Sequence, residues 1–270
     1  MCLVAFAINA SARWPLVVAS NRDESYERPT LPMQRWESPS GQIIISGRDL
    51  LAGGTWMGVT PDGRAAFLTN VREPPLASVA APKSRGELVT RWLEGGQTAM
   101  EFMASVDATE YGGFNLVLCD WRKKAWTWAG NRPQDNRQGA SGKSAWAYRD
   151  LAEGIYGLSN AGLDTPWPKT LALKEALEMA LDSAATGKSS ARLESQLWRA
   201  LASRQQAAPE LLPNTGVPAV WEKALSSAFV SAPERAYGTR CSTLLIAEKT
   251  TDAGGNELSL RMQEKTFSIN

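Results

Sequence analysis

Cys2 stands directly behind Met1 in a chain of 270 residues that contains no histidine. That combination narrows the nucleophilic chemistry open to the molecule. A serine or cysteine triad built on a histidine base is excluded, because there is no imidazole to take the proton. A small residue at position 2 lets an aminopeptidase remove Met1, and the mature chain would then begin with a thiol and a free α-amine on one residue. The α-amine has an ordinary pKa of roughly 7.7–8.0, so it can accept the thiol proton near neutral pH. Such a residue is a nucleophile that carries its own base. The competing reading is that Cys2 only opens a buried strand, since free cysteine packs as a small hydrophobe.

The rest of the composition limits what could surround that thiol. The three cysteines, Cys2, Cys119 and Cys241, are odd in number, far apart and without a Cys-x-x-Cys pair. This argues against a disulfide framework or a metal site and for a reducing compartment, so cytoplasm is the expected location. Net charge is +1 and no basic run interleaved with aromatics occurs, which speaks against a nucleic-acid partner or an anionic membrane surface. No transmembrane segment is expected. The longest apolar stretch near the N-terminus is broken by Asn9, Arg13 and Pro15, well short of the ~20 residues needed to cross a bilayer. A basic leader pattern is likewise absent from the first residues. Eleven tryptophans could line an apolar ligand cavity, although core packing accounts for most such residues.

The elements that must position Cys2 are strands at both ends of the chain. Residues 2–9 form an apolar run, 16–21 a second and 43–46 a third, while 54–59 and 65–70 flank the turn Thr60-Pro61-Asp62-Gly63. The polar stretch 22–40, with Pro29, Pro32 and Pro39, reads as a long loop. Ser84-Arg85-Gly86-Glu87 has the capping-box spacing and predicts a helix start, with a second helix over 99–106. A hairpin is expected from 114–121 and 125–129 around Arg122-Lys123-Lys124, followed by a polar loop at 134–143. Helical periodicity then covers 167–184, 191–203 and 219–229, and a strand pair at 241–247 and 258–262 closes the chain. Neither a repeat nor a linker divides the sequence. The expectation is one α+β domain over residues 1–270, with antiparallel sheets covered by helices.

Asn21-Arg22-Asp23-Glu24 is one of a set of motifs that occur in order along the chain. The others are Gly53-Gly54-Thr55-Trp56-Met57-Gly58, Leu68-Thr69-Asn70, Tyr156-Gly157-Leu158-Ser159-Asn160, Thr165-Pro166-Trp167-Pro168-Lys169, Thr215-Gly216-Val217-Pro218 and Tyr237-Gly238-Thr239-Arg240. With this set the sequence resembles the NRDE family, also called the transport and Golgi organisation family. That family is distantly similar to the cysteine N-terminal nucleophile hydrolases that cleave penicillin V and conjugated bile salts.

The resemblance implies a four-layer αββα fold and a site. Cys2 matches the nucleophile, and Arg22 and Asp23 match the arginine and aspartate that orient it after the second strand. Asn70 and Asn160 match residues that hold the oxyanion, and Arg240 matches the late arginine. Chemically, a cation near Cys2 favours thiolate, Asp23 can orient the α-amine, and amide hydrogens can stabilise a developing oxyanion. The acylases space their arginine and aspartate three apart, whereas Arg22 and Asp23 are adjacent and would point to different faces if extended. Asn21 or Glu24 could therefore take one of the two roles.

The implied activity is hydrolysis of an acyl amide after loss of Met1, with no cofactor or metal required. The alternative is a binding or trafficking protein for haem or an acyl-lipid ligand that uses the same cleft. In either case the partner is a small apolar or acyl-containing molecule. Without histidine, an axial haem ligand would have to be Cys, Met or Tyr.

Overall fold

The computed structural model describes residues 2–73, 83–132, 146–184, 190–252 and 255–267. In chain order its strands and helices begin with β1 (Cys2–Ile8), β2 (Leu16–Ser25), β3 (Thr30–Glu37), β4 (Ile43–Asp49), β5 (Met57–Val59) and β6 (Arg64–Asn70). Helices α1 (Gly86–Glu94) and α2 (Ala99–Ala104) follow, then β7 (Phe114–Asp120), β8 (Ala125–Gly130), β9 (Ala147–Asp150) and β10 (Gly154–Leu158). The remainder comprises α3 (Pro168–Ala184), α4 (Ala191–Leu201), α5 (Ala219–Ala224), β11 (Ser231–Ala232), β12 (Tyr237–Asp252) and β13 (Gly255–Thr266).

The chain divides into two compact units, one made of Glu27–Leu151 with Asn160–Gly162, the other of Cys2–Tyr26, Ala152–Ser159 and Leu163–Asn270. The first contains a seven-stranded sheet in the order β3-β4-β5-β6-β7-β8-β9, every neighbouring pair antiparallel. Leu88, Val89, Trp92 and Leu93 of α1 and Phe102 and Met103 of α2 join a core with Ala66, Leu68, Leu116 and Leu118 of that sheet. The second unit contains a six-stranded antiparallel sheet in the order β10-β1-β2-β12-β11, with β13 also on β12.

Strand β1 reads Cys-Leu-Val-Ala-Phe-Ala-Ile and is buried along its whole length. A continuous apolar run is what a strand covered on both faces requires. Leu3, Ala5 and Ala7, with Val17, Ala19, Leu244 and Ile246, face Leu173, Leu177 and Leu181 of α3 and Leu193, Leu197 and Leu201 of α4. The fit of α3 on the sheet is close. A Cβ at Gly157 would stand 2.6 Å from Cγ2 of Thr170. Two antiparallel sheets, each packed with its own helices, make the fold α+β as expected.

Several local expectations are corrected. The stretch 22–40 is not one long loop, because β2 continues to Ser25 between two partners, β1 and β12, and β3 occupies 30–37. Pro32 is tolerated because β3 is an edge strand whose register shifts between Leu31 and Gln34, where no ladder donor is demanded. Helix α1 begins one residue later than a Ser84 cap requires: Arg85 is its N-cap and no side chain caps it. The capping box that does form joins Thr98 and Glu101 at the start of α2. Strand β5 starts at Met57 rather than at 54, and α5 stops at Ala224. Strands β9, β10 and β11 were not anticipated, and β12 and β13 run longer than expected. The expected loop at 134–143 lies outside the described residues.

Candidate active site

The site is built on the six-stranded sheet. Cys2 pairs directly with Arg22 across β1 and β2, and Arg22 pairs with Cys241 across β2 and β12. Directly opposed residues of an antiparallel pair project to the same face with Cβ atoms roughly 4.5–5.5 Å apart. The row therefore sets one guanidinium between two thiols. All three residues are buried. Glu24, two residues along β2, lies on the same face and its Oε2 is 3.8 Å from Nη2 of Arg22. On the far side of β1, Ser159 at the end of β10 donates its hydroxyl to the Cys2 carbonyl at 3.3 Å.

Asn21 and Asp23 point the other way, as the alternation of a strand demands. Asn21 is fully buried and donates from Nδ2 to the carbonyls of Leu201 and Ala228, both at 2.8 Å, while its Oδ1 accepts from Ser242 at 2.5 Å. It ties β2 to the end of α4 and to the segment after α5. Asp23 accepts from the Thr239 hydroxyl at 2.7 Å, and its carbonyl accepts from Tyr237 Oη at 3.0 Å. Its pair on β12 is Thr239, and it stands one step beyond the Cys2–Arg22 pair.

Arg240 falls where the β2–β12 register shifts, between the Thr239–Asp23 and Cys241–Arg22 pairs. It is the extra residue of a bulge, a feature that redirects a side chain. Its Nη1 donates to the carbonyls of Ser25 and Tyr26 at 2.8 and 2.9 Å, clamping the end of β2. The expectation that Arg240 opens the late strand is corrected, since β12 starts at Tyr237. Arg22 and Asp23 likewise lie within β2 and not after it.

Asn70 and Asn160 belong to the seven-stranded unit, where they meet each other. Asn160 is buried and donates from Nδ2 to the Asn70 carbonyl at 2.9 Å, and its own carbonyl accepts from the Arg72 amide at 2.7 Å. Asn115 braces the same place, donating to Thr69 Oγ1 at 3.1 Å and to the Ala161 carbonyl at 2.6 Å.

Burial pushes the Cys2 thiol above its ordinary range. The positive chain terminus opposes that shift, Asp23 reinforces it, Arg22 opposes it and Glu24 reinforces it, in decreasing order. Cys241 is raised further, first by burial and then by Glu264, with Arg22 again pulling down. Cys119 is also buried and raised. The chain has no imidazole to offer as an axial haem ligand. Among the described residues no cluster of three or more His, Cys, Asp or Glu could hold a metal ion, and no helix is long and apolar enough to cross a membrane. Sequence reasoning passed over Thr239 and Cys241 as partners of the NRDE stretch. Their only signal was adjacency to Arg240 in the Tyr-Gly-Thr-Arg motif.

A sequence model of the family described as "Transport and Golgi organisation 2" matches residues 1–262. A Transport and Golgi organization protein 2 homolog of Bos taurus is 30% identical over 270 residues, covering 92% of this chain and 89% of the bovine one. The Drosophila melanogaster protein of that name is 26% identical, covering 92% and 88%. Among solved structures, the Caenorhabditis elegans ortholog of N-acylethanolamine-hydrolyzing acid amidase superposes with a TM-score of 0.54 at 12% identity, covering 91% of this chain and 92% of that one. A likeness at that identity is one of fold.

Proposed function

The chain belongs to the Transport and Golgi organisation 2 family, and from that premise we propose that it is a cysteine N-terminal nucleophile amidohydrolase acting on an acyl amide. The observation that carries the reading is the row in which Arg22 stands directly opposite Cys2. A buried cation paired with a thiol at the start of a chain is the environment that an N-terminal nucleophile needs, and burial of the pair strengthens the interaction.

Loss of Met1 would leave the α-amine on Cys2. The amine takes the thiol proton, and sulfur adds to the amide carbonyl. The C–N bond then breaks as the ammonium returns its proton to the leaving nitrogen, and water releases the acyl group from the thioester. Arg22 stabilises the thiolate. Asp23, one step past Cys2 in the pairing and an electrostatic neighbour of its thiol, orients the new ammonium. The family pattern assigns the oxyanion role to Asn70 and Asn160.

The fold neighbour's name makes N-acyl amides the first substrates to try. In the expected outcome, untagged protein has lost Met1 by intact mass and limiting iodoacetamide labels Cys2 far faster than Cys119 or Cys241. Cys2→Ala then loses amide turnover by on the order of 10⁴-fold or more. Retention of Met1 with an inert Cys2, or full turnover by Cys2→Ala, overturns the reading.

One observation favours a second reading, a carrier that binds an acyl-bearing ligand without cleaving it: burial pushes the Cys2 thiol above its ordinary range, away from a primed nucleophile. A carrier binds the same amides stoichiometrically, and Cys2→Ala leaves that binding unchanged. A carrier of haem would instead give a Soret shift on titration that differs between wild type and Cys2→Ala.

A further inference from the structure

Thr239 belongs to the Tyr237-Gly238-Thr239-Arg240 motif, yet the chemistry above gives it no part. It is buried and stands directly opposite Asp23 in the pairing of β12 with β2. Directly opposed residues of an antiparallel pair share a face, so the two side chains meet.

The direction of the Thr239 hydroxyl proton is fixed by its other partner. Oγ1 accepts from the Val230 amide at 2.9 Å, and an amide N–H can only donate. The single hydroxyl proton therefore goes to Oδ1 of Asp23, 2.7 Å away. The Thr239 amide in turn donates to the Val230 carbonyl at 2.9 Å, so the backbone and side chain of Thr239 are both anchored on the segment that leads into β11. Asp23 is caught a second time through its backbone, whose carbonyl accepts from Tyr237 Oη at 3.0 Å. A hydroxyl oriented to donate favours the ionised carboxylate over the acid, and a charge-assisted bond limits its rotation. Asp23 is only 1% exposed, and a carboxylate buried to that degree needs such donors.

Its place relative to Cys2 follows from the register. Leu3 pairs with Asn21 and Cys2 with Arg22, which sets Asp23 one step beyond Cys2, on the side of its α-amine. That amine is a backbone atom at the end of β1 and lies in the plane of the sheet, within reach of side chains from either face. The other charged groups nearby are engaged differently. Arg22 and Glu24 share the face of Cys2, Arg240 is turned to the carbonyls of Ser25 and Tyr26, and Glu264 bears on Cys241. After burial and the chain terminus, Asp23 is the largest influence on the Cys2 thiol, ahead of Arg22 and Glu24.

We propose that Thr239 is a positioning residue for the nucleophile: it holds the Asp23 carboxylate ionised and fixed where it meets the α-amine that loss of Met1 leaves on Cys2. Thr239 touches neither thiol nor amine and acts through Asp23. The proposal rests on the reading of Cys2 as an N-terminal nucleophile.

The test is the rate of Cys2 labelling by limiting iodoacetamide, followed from about pH 6 to about pH 10 on untagged chain that has lost Met1. A fixed anion beside Cys2 favours the protonated amine and thiol, so releasing it moves the profile to lower pH. Thr239→Val keeps the shape and deletes the hydroxyl. It should lower the midpoint by about 0.5 unit, seen as ~3-fold faster labelling below it, and Thr239→Ser should restore the wild-type profile. Asp23→Asn should shift the midpoint at least as far, and adding Thr239→Val to it should move the midpoint no further. A Thr239 that only braces the fold would lower stability and leave the midpoint in place. That result, or a full additional shift in the double variant, overturns the proposal. Should Thr239→Val fail to fold, Thr239→Ala carries the same comparison. If the wild type keeps Met1 or its Cys2 is inert, the nucleophile reading falls and this proposal with it. If the wild type labels as expected while Thr239→Val shares its midpoint, only the role of Thr239 falls.

Discussion

Asn21 and Arg22 are neighbours on β2, and the two faces of the sheet use them differently. On the helix-covered face Asn21 is satisfied locally, by two backbone carbonyls and the Ser242 hydroxyl. Across the strand Arg22 lies between Cys2 and Cys241, with the Glu24 carboxylate 3.8 Å away. The first arrangement is a tie, and its cost of removal is stability. The second is a field acting on ionisable sulfur, and its cost of removal is reactivity. Adjacent letters of one motif thus hold separate roles, divided by the two-residue period of a strand.

That contrast can be broken from either side. The largest effect should come from Asn21→Ala, which strands two buried carbonyls and a hydroxyl and should cost about 3 kcal/mol in denaturant unfolding. The relative labelling rates of the three cysteines should be unaffected in the protein that remains folded. If Asn21→Ala instead lowers Cys2 reactivity at full stability, the division of labour is wrong.

Alkaline pH probes the other face. Cys2 and Cys241 have folded pKa values above their unfolded ones, so the unfolded chain releases protons first and holds fewer of them in that interval. Stability is then full below the unfolded thiol value and falls as pH rises towards the folded one, by about 1.4 kcal/mol per unit for each thiol. The window opens near pH ~8.5. A stability curve flat from there upwards would contradict the burial of these sulfurs. Arg22→Gln should slow labelling of Cys2 at neutral pH by about 10-fold and move the pH profile upward, with Arg22→Lys recovering part of the rate. Ser242→Ala gives the smallest change. It removes one donor from Asn21 Oδ1, should cost about 1 kcal/mol, and should leave the Cys2 profile where it was.

What the sequence disclosed depended on whether the cause was local. Strand β1 was legible because it is covered on both faces, so burial is written as an unbroken apolar run. The far end of β2 was not, because Arg22, Asp23 and Glu24 look like a loop until β12, more than 200 positions later, provides the second partner. Two segments, Ser84–Glu87 and Thr98–Glu101, share the capping-box pattern, and composition alone cannot separate them. Arg85 already has helical φ and ψ, so Ser84 sits outside the cap position, and Glu87 contacts Arg91 and Tyr111 instead. For the site, the residue types of the motif were readable. The face each one takes required the register, and the bulge that diverts Arg240 to the Ser25 and Tyr26 carbonyls had no sequence mark.

The row Cys2–Arg22–Cys241 has a consequence for the order of events on the ribosome. Its first two members are synthesised at once and can zip into a hairpin, but the third follows roughly 240 residues later, about 10–50 s at ordinary elongation rates. Throughout that interval the β2 edge that will receive β12 has no partner, and the chain terminus remains accessible to processing enzymes. The Met1 removal proposed above would have to fall within that interval, before the thiol is enclosed. A chain that stops short of residue 241 would retain an open sheet edge beside an exposed cysteine, a combination prone to cross-linking and aggregation.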